Sequence, residues 1–156
     1  MIVNRQRRVR VPIAELKRFL ASVQRRLHVP PGGVTVALVT DTEIKRWNRA
    51  FRGKNRPTDV LSFPNDDSPR RTGKIRNKPG HESSARRQVE NTYLGDIAIA
   101  PAVAKRNARR YGRTFAAEMR ILILHGTLHL MGYDHETDQG QMDRRETRLR
   151  RELGLA

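Results

Sequence analysis

The chain has 156 residues, which suits one domain with one core. Its 32 Lys and Arg against 16 Asp and Glu leave a formal charge of +16, which favours polyanionic partners, nucleic acid first, through electrostatics and counterion release. The absence of cysteine excludes disulfides, thiolate zinc ligands and Cys nucleophiles together, so any zinc must rest on His and carboxylates.

The opening MIVNRQRRVRVP is basic and runs into an amphipathic stretch rather than the apolar core of a signal peptide. In PIAELKRFLASVQRRL, Ile13, Leu16, Leu20, Val23 and Leu27 recur at three- and four-residue steps and predict a helix with one apolar stripe, Pro12 suiting its start. HVPPGG stops it, and VTVALV at 34–39 reads as a buried strand. TDTE then fits a capping box at Thr40, with Glu43 reaching back, for a helix that turns Ile44, Trp47 and Phe51 inward. DVLSF at 59–63 is a short strand. Residues 65–91 are rich in Pro, Gly, Ser and charge, with almost nothing to bury, and read as a flexible basic insertion. YLGDIAIA at 93–100 is a second strand of the same kind, and Pro101 opens a helix that runs to Arg110 and closes at Gly112. FAAEMRILILHGTLHLM at 115–131 is apolar nearly all round, the mark of a central buried helix. A last charged helix over 138–153 keeps Met142, Leu149 and Leu153 on one side. The whole predicts an α/β fold of the α+β type: a single domain, 1–156, with a small mixed sheet covered by helices. No apolar run approaches the roughly 20 residues that span a bilayer, so a soluble cytoplasmic protein is expected.

HGTLHLMGYDH, residues 125–135, holds three of the five histidines. His125 and His129 lie one turn apart on one helix face, where two imidazoles converge on an ion at about 2.0–2.1 Å. Gly132 is free to take a positive φ and end the helix, so that the chain turns back and His135 supplies a third nitrogen. Three neutral ligands leave zinc an open position, the catalytic rather than the structural pattern. The spacing is that of zinc peptidases, but Gly126 stands where their glutamate takes a proton from water. Peptide hydrolysis loses its base, whereas phosphodiester cleavage asks for a metal and cations, which the chain has in abundance. Asp134, beside the third ligand, is placed to orient a histidine, accept a proton or cap a turn; the first is preferred. Arg52, Lys54 and Arg56 precede a strand, and the last two read as a solvated loop. Asp96, an acid in an apolar strand, has a structural or histidine-supporting role if buried. His28 and His81 read as loop histidines. Only eight aromatic residues are present, too few for a base-stacking sheet.

HGTLHLMGYDH closely resembles the H-G-x-L-H-L-x-G-Y-D-H signature of the YbeY endoribonuclease family. FRGKNRPTDVLSFP and YLGDIAIA resemble two further family segments in the same order, so the likeness covers most of residues 34–150. The resemblance implies a mixed four-stranded sheet with several helices. It implies a zinc-dependent endoribonuclease of single-stranded RNA, acting on rRNA precursors such as the 16S 3′ end and in ribosome quality control. It further implies metal ligands at His125, His129 and His135 and a functional arginine at Arg52, with small-subunit ribosomal proteins and a ribosome-associated GTPase as partners. Arg52 and Asp134 are therefore the candidate catalytic residues. The insertion and the arginine-rich last helix depart from the family pattern and are candidates for extra RNA-binding surface. Two rivals stand beside this reading: a ribosome-assembly factor in which zinc only staples helix to turn, and a metallopeptidase with its base elsewhere.

Overall fold

The computed structural model describes residues 1–65, 93–134 and 136–155. The expected insertion therefore lies, apart from Asn65 itself, outside the described residues, and His81 and His135 lie outside them too.

Four strands form one mixed sheet: β1 (Ile2–Asn4), β2 (Val34–Leu38), β3 (Val60–Pro64) and β4 (Gly95–Ile99), in the spatial order β1-β2-β4-β3. β1 runs parallel to β2 and β2 parallel to β4, while β3 closes the other edge antiparallel to β4, pairing Val60 with Ile99 and Pro64 with Gly95. β1 is absent from the sequence reading. Three residues are too few to carry a period, and only pairing with β2 makes them a strand.

Five helices among the described residues cover the sheet: α1 (Ile13–Arg26), α2 (Asp41–Arg52), α3 (Pro101–Arg110), α4 (Phe115–Leu130) and α5 (Gln141–Glu152). Alternation sends Val34, Val36 and Leu38 of β2 and Ile97 and Ile99 of β4 to one face, where they join Leu16, Leu20 and Val23 of α1 and the apolar body of α4 in the main core. The opposite face carries a smaller cluster, in which Ile44 of α2 meets Val39, Leu61, Ala98 and Ala100.

The helix boundaries follow local chemistry. Thr40 caps α2 by accepting the Glu43 N–H at 3.2 Å, but the reciprocal half of the box is not made: the Glu43 carboxylate pairs with Arg5 at 2.9 Å instead. Ile44 is fully buried and Trp47 partly so, whereas Phe51, expected inward, is 68% exposed. It lies in the last turn of α2 and meets the sheet edge-on at Phe63, with ring centroids 5.2 Å apart. α5 starts three residues later than expected: Gly140, at φ +86°, is its N-cap residue, and Asp138 ties down the turn before it, one carboxylate oxygen accepting from Gly140 N–H and the other from Met142 N–H, each at 2.8 Å.

Candidate active site on helix α4

α4 is built to be enclosed. Thr114 caps it by accepting the Ala117 N–H at 3.1 Å, and the sheet, α1, α3 and α5 all pack against it. It ends where expected: Gly132 has φ +97°, the Gly132 N–H bonds the His129 carbonyl at 3.0 Å and the Tyr133 N–H bonds that of Leu128 at 3.1 Å.

The i, i+4 spacing brings His125 and His129 together as expected. Their Nε2 atoms are 3.0 Å apart, with ring planes at 74°. Two nitrogens bound to one tetrahedral zinc would stand about 3.3 Å apart, so the pair presents its donors at a spacing that needs little adjustment. Among the described residues no group of three His, Cys, Asp or Glu side chains forms a complete cage, and the third expected donor, His135, is outside them. The neutral imidazole pair fits zinc chemically as part of such a set.

On its other side His125 meets a residue that the sequence reading did not single out. The Glu146 carboxylate, on α5, lies with Oε2 2.9 Å from His125 Nδ1, and its Oε1 accepts from the Arg150 guanidinium, including from Nε at 3.1 Å. Burial pushes the Glu146 carboxyl up, but the hydrogen bonds with His125 and Arg150 and the charge of the guanidinium outweigh it and hold it below the usual carboxylate range. A signal for Glu146 exists in the sequence. It falls four residues after Met142 and three before Leu149, on the apolar stripe of a charged helix, where an acid is out of place unless partnered.

Gly126 faces the sheet. A Cβ there would stand 2.8 Å from Ile97 Cγ2 and 3.0 Å from Cδ1, and its carbonyl accepts from the Ser62 hydroxyl at 3.2 Å. The glycine thus has a packing reason of its own: it lets α4 approach β4 and β3 closely, and a glutamate at this position would drive into Ile97.

The remaining candidates lie at the surface. Arg52 ends α2, which Gly53 closes with φ +68°, and its guanidinium reaches Glu136 at 3.6 Å, in the turn that follows α4. It therefore approaches the segment that begins at the histidine helix. Arg52, Lys54 and Arg56 line an open cleft of about 270 Å³ together with Asn48, Asp59 and Asn107, and Asn48 Nδ2 pins the loop by donating to the Arg56 carbonyl at 2.9 Å. Lys54 and Arg56 are exposed, as a solvated loop requires. Asp134 accepts the Glu136 N–H on Oδ1 at 3.0 Å and its carbonyl accepts from Asp138, so its carboxylate shapes the turn after α4. Asp96 is exposed on the sheet face away from Gly126 and takes the Tyr93 hydroxyl as donor. His28 sits in the loop after α1 at φ +56°.

The model of the family described as Endoribonuclease YbeY matches residues 1–154. Relatives of that name include a Solibacter usitatus protein, 40% identical over 141 residues that make up 90% of this chain and 78% of the relative. One from Koribacter versatilis is 35% identical over 99% of this chain and 86% of its own length, and one from Chloroflexus aggregans 38% identical over 93% and 90%. The solution structure of a Thermotoga maritima protein superposes with a TM-score of 0.53 at 28% identity, covering 98% of this chain and 89% of that one. With the family model spanning nearly the whole sequence and the mixed four-stranded fold matching, the chain belongs to the endoribonuclease YbeY family.

Proposed function

We propose that this protein is a zinc-dependent endoribonuclease that cleaves single-stranded RNA, with rRNA precursors, the 16S 3′ end among them, as its substrates in the cytoplasm. The observation that carries the metal reading is the convergence of His125 and His129 Nε2 to 3.0 Å on the one polar strip of an otherwise enclosed helix. His125 and His129, with His135 as the third donor, would hold the ion. When bound, zinc supplies Lewis acidity at the reacting phosphodiester. Arg52 contributes a fixed cation where charge accumulates on the phosphoryl oxygens, and its ion pair with Glu136 is loose and exposed enough to yield to a phosphate. The formal charge of +16 draws the polyanion in. Asp134, the residue before His135 in the chain, accepts the Glu136 N–H and is the second candidate catalytic residue. Among the described residues no helix is long and apolar enough to cross a membrane. Ribosome quality control, small-subunit proteins and a ribosome-associated GTPase belong to the same proposal.

The test is metal analysis of the purified protein, coupled with cleavage of a pre-16S 3′-end RNA by wild type, His129→Ala and Arg52→Glu, with and without chelator. Arg52→Glu should abolish cleavage and keep its zinc; His129→Ala should lose both. Cleavage that survives chelation sinks the metal dependence, and an Arg52→Glu protein working at wild-type rate removes the arginine from the reaction. Zinc-loaded wild type that cuts no single-stranded RNA would favour the assembly-factor rival.

A further inference from the structure

Among the described residues the fold buries two carboxylates, Glu118 and Glu146. Glu118 is answered by the Arg113 guanidinium at 3.0 Å. Glu146 divides its two oxygens: Arg150, one turn along the same helix, takes Oε1, and Oε2 is left facing His125 Nδ1 at 2.9 Å. Were Glu146 present only to pair with Arg150, the partner four residues away would suffice, and both groups would stay at the surface. Instead the carboxylate is 5% exposed, carried inward between Met142 and Leu149 to the α4 interface.

We propose that Glu146 is the positioning residue for His125, holding the proton on Nδ1 and turning the Nε2 lone pair toward His129. An ionised carboxylate only accepts, so the ring nitrogen that faces it carries the hydrogen. The other nitrogen then carries the lone pair that a cation requires, and it is the one found 3.0 Å from His129 Nε2. The contact also stops the ring from rotating about its Cβ–Cγ bond, and a carboxylate partner makes the imidazole a stronger ligand than a carbonyl would. Arg150 donates to Oε1 from the far side and fixes the plane of the carboxylate. The charged C-terminal helix thus reaches the candidate metal centre through one side chain. This inference rests on the metal reading above for its purpose, but not for its geometry.

Two variants separate the roles. Glu146→Leu removes the acceptor and fits the stripe of Met142 and Leu149, while Glu146→Gln keeps an acceptor and the shape but not the charge. In the metal-free protein, long-range 15N–1H NMR should find wild-type His125 as the Nδ1–H tautomer, Glu146→Gln close to it, and Glu146→Leu shifted to the Nε2–H form or a mixture. Zinc affinity, read by competition with a chelating dye, should fall roughly 10- to 100-fold in Glu146→Leu and less in Glu146→Gln. An Nε2–H His125 in the wild type overturns the proposal, as does a tautomer or a zinc affinity that is the same in wild type and Glu146→Leu. A Glu146→Leu protein that fails to fold leaves the decision to the wild-type tautomer and the glutamine variant. Wild type that takes up no zinc refutes the metal reading instead, and the tautomer measurement still decides for or against Glu146.

Discussion

Helices α4 and α5 meet at His125 and Glu146 but are built in opposite ways. α4 buries Met119, Ile123, Leu124 and Leu128 around most of its circumference, and its histidines occupy the strip left over. α5 is charged on most of its surface and buries only Met142, Glu146 and Leu149. On α4 the candidate ligands stand out because they are polar in an apolar helix and spaced by one turn. On α5 the acid that meets His125 is one among many charges, and only its place on the stripe separates it from the others. A helix that must be enclosed declares its site locally, whereas a surface helix contributes to a site through the neighbour it packs against.

The sharpest way to break this comparison is at Gly126, where the two demands on α4 coincide. Gly126→Glu restores the residue type of a zinc peptidase but sets a carboxylate against Ile97. Overpacking of about 1–3 kcal/mol adds to a several-kcal/mol penalty for an unpaired buried charge, against a total stability of roughly 5–15 kcal/mol. The variant should be insoluble or lack a cooperative thermal transition by circular dichroism, and should show no peptidase activity. Gly126→Ala, which trades the same clash against about 1 kcal/mol of helix propensity, should lose no more than about 2 kcal/mol. A Gly126→Glu protein that melts like wild type would mean that the glycine is not there for packing.

Next in size is the contrast between buried leucines. Leu128, 0% exposed, is ringed by the main core, while Leu149, 1% exposed, lies on a helix with one buried side. Leu128→Ala should cost about 4–5 kcal/mol and Leu149→Ala about 2–3 kcal/mol, since a peripheral helix settles into the gap more readily. Urea denaturation of both variants measures this. An equal or larger loss at Leu149 would make α5 as integral as α4.

The same difference explains what the sequence made legible. The histidine pair, the Gly132 turn and the Thr40 cap are local events within about one helical turn, and each is found where the residues predict it. β1 escapes notice because three edge residues become a strand only beside Val36 and its neighbours. Phe51 reads as inward on periodicity, but in the last turn of α2 it stays 68% exposed, meeting Phe63 of the edge strand β3 only edge-on. Gly126 shows as the absence of a base; the Ile97 side chain that demands a glycine is 29 positions away in the chain. Arg52 is marked by its motif, yet its reach toward the turn after α4 depends on how α2 is laid across the sheet. In each case the missing information is a long-range contact.

The smallest effects compare the exposed surfaces of the same two helices. Thr114, at the start of α4, satisfies one backbone N–H that has no partner within the helix. Thr114→Ala should cost about 1 kcal/mol and Thr114→Ser almost nothing, because the hydroxyl and not the methyl does the capping. For a chain of this size that is a melting shift of about 2–4 °C. On α5, Arg148 is exposed, so Arg148→Ala should change stability by less than about 0.5 kcal/mol. Its effect should appear instead in RNA affinity, as a reduced salt slope, if the basic face of α5 lies along the strand. An Arg148→Ala protein that loses as much stability as Thr114→Ala would show that α5's charges hold the fold, and the division between an enclosed helix and a surface helix would fail at its weakest point.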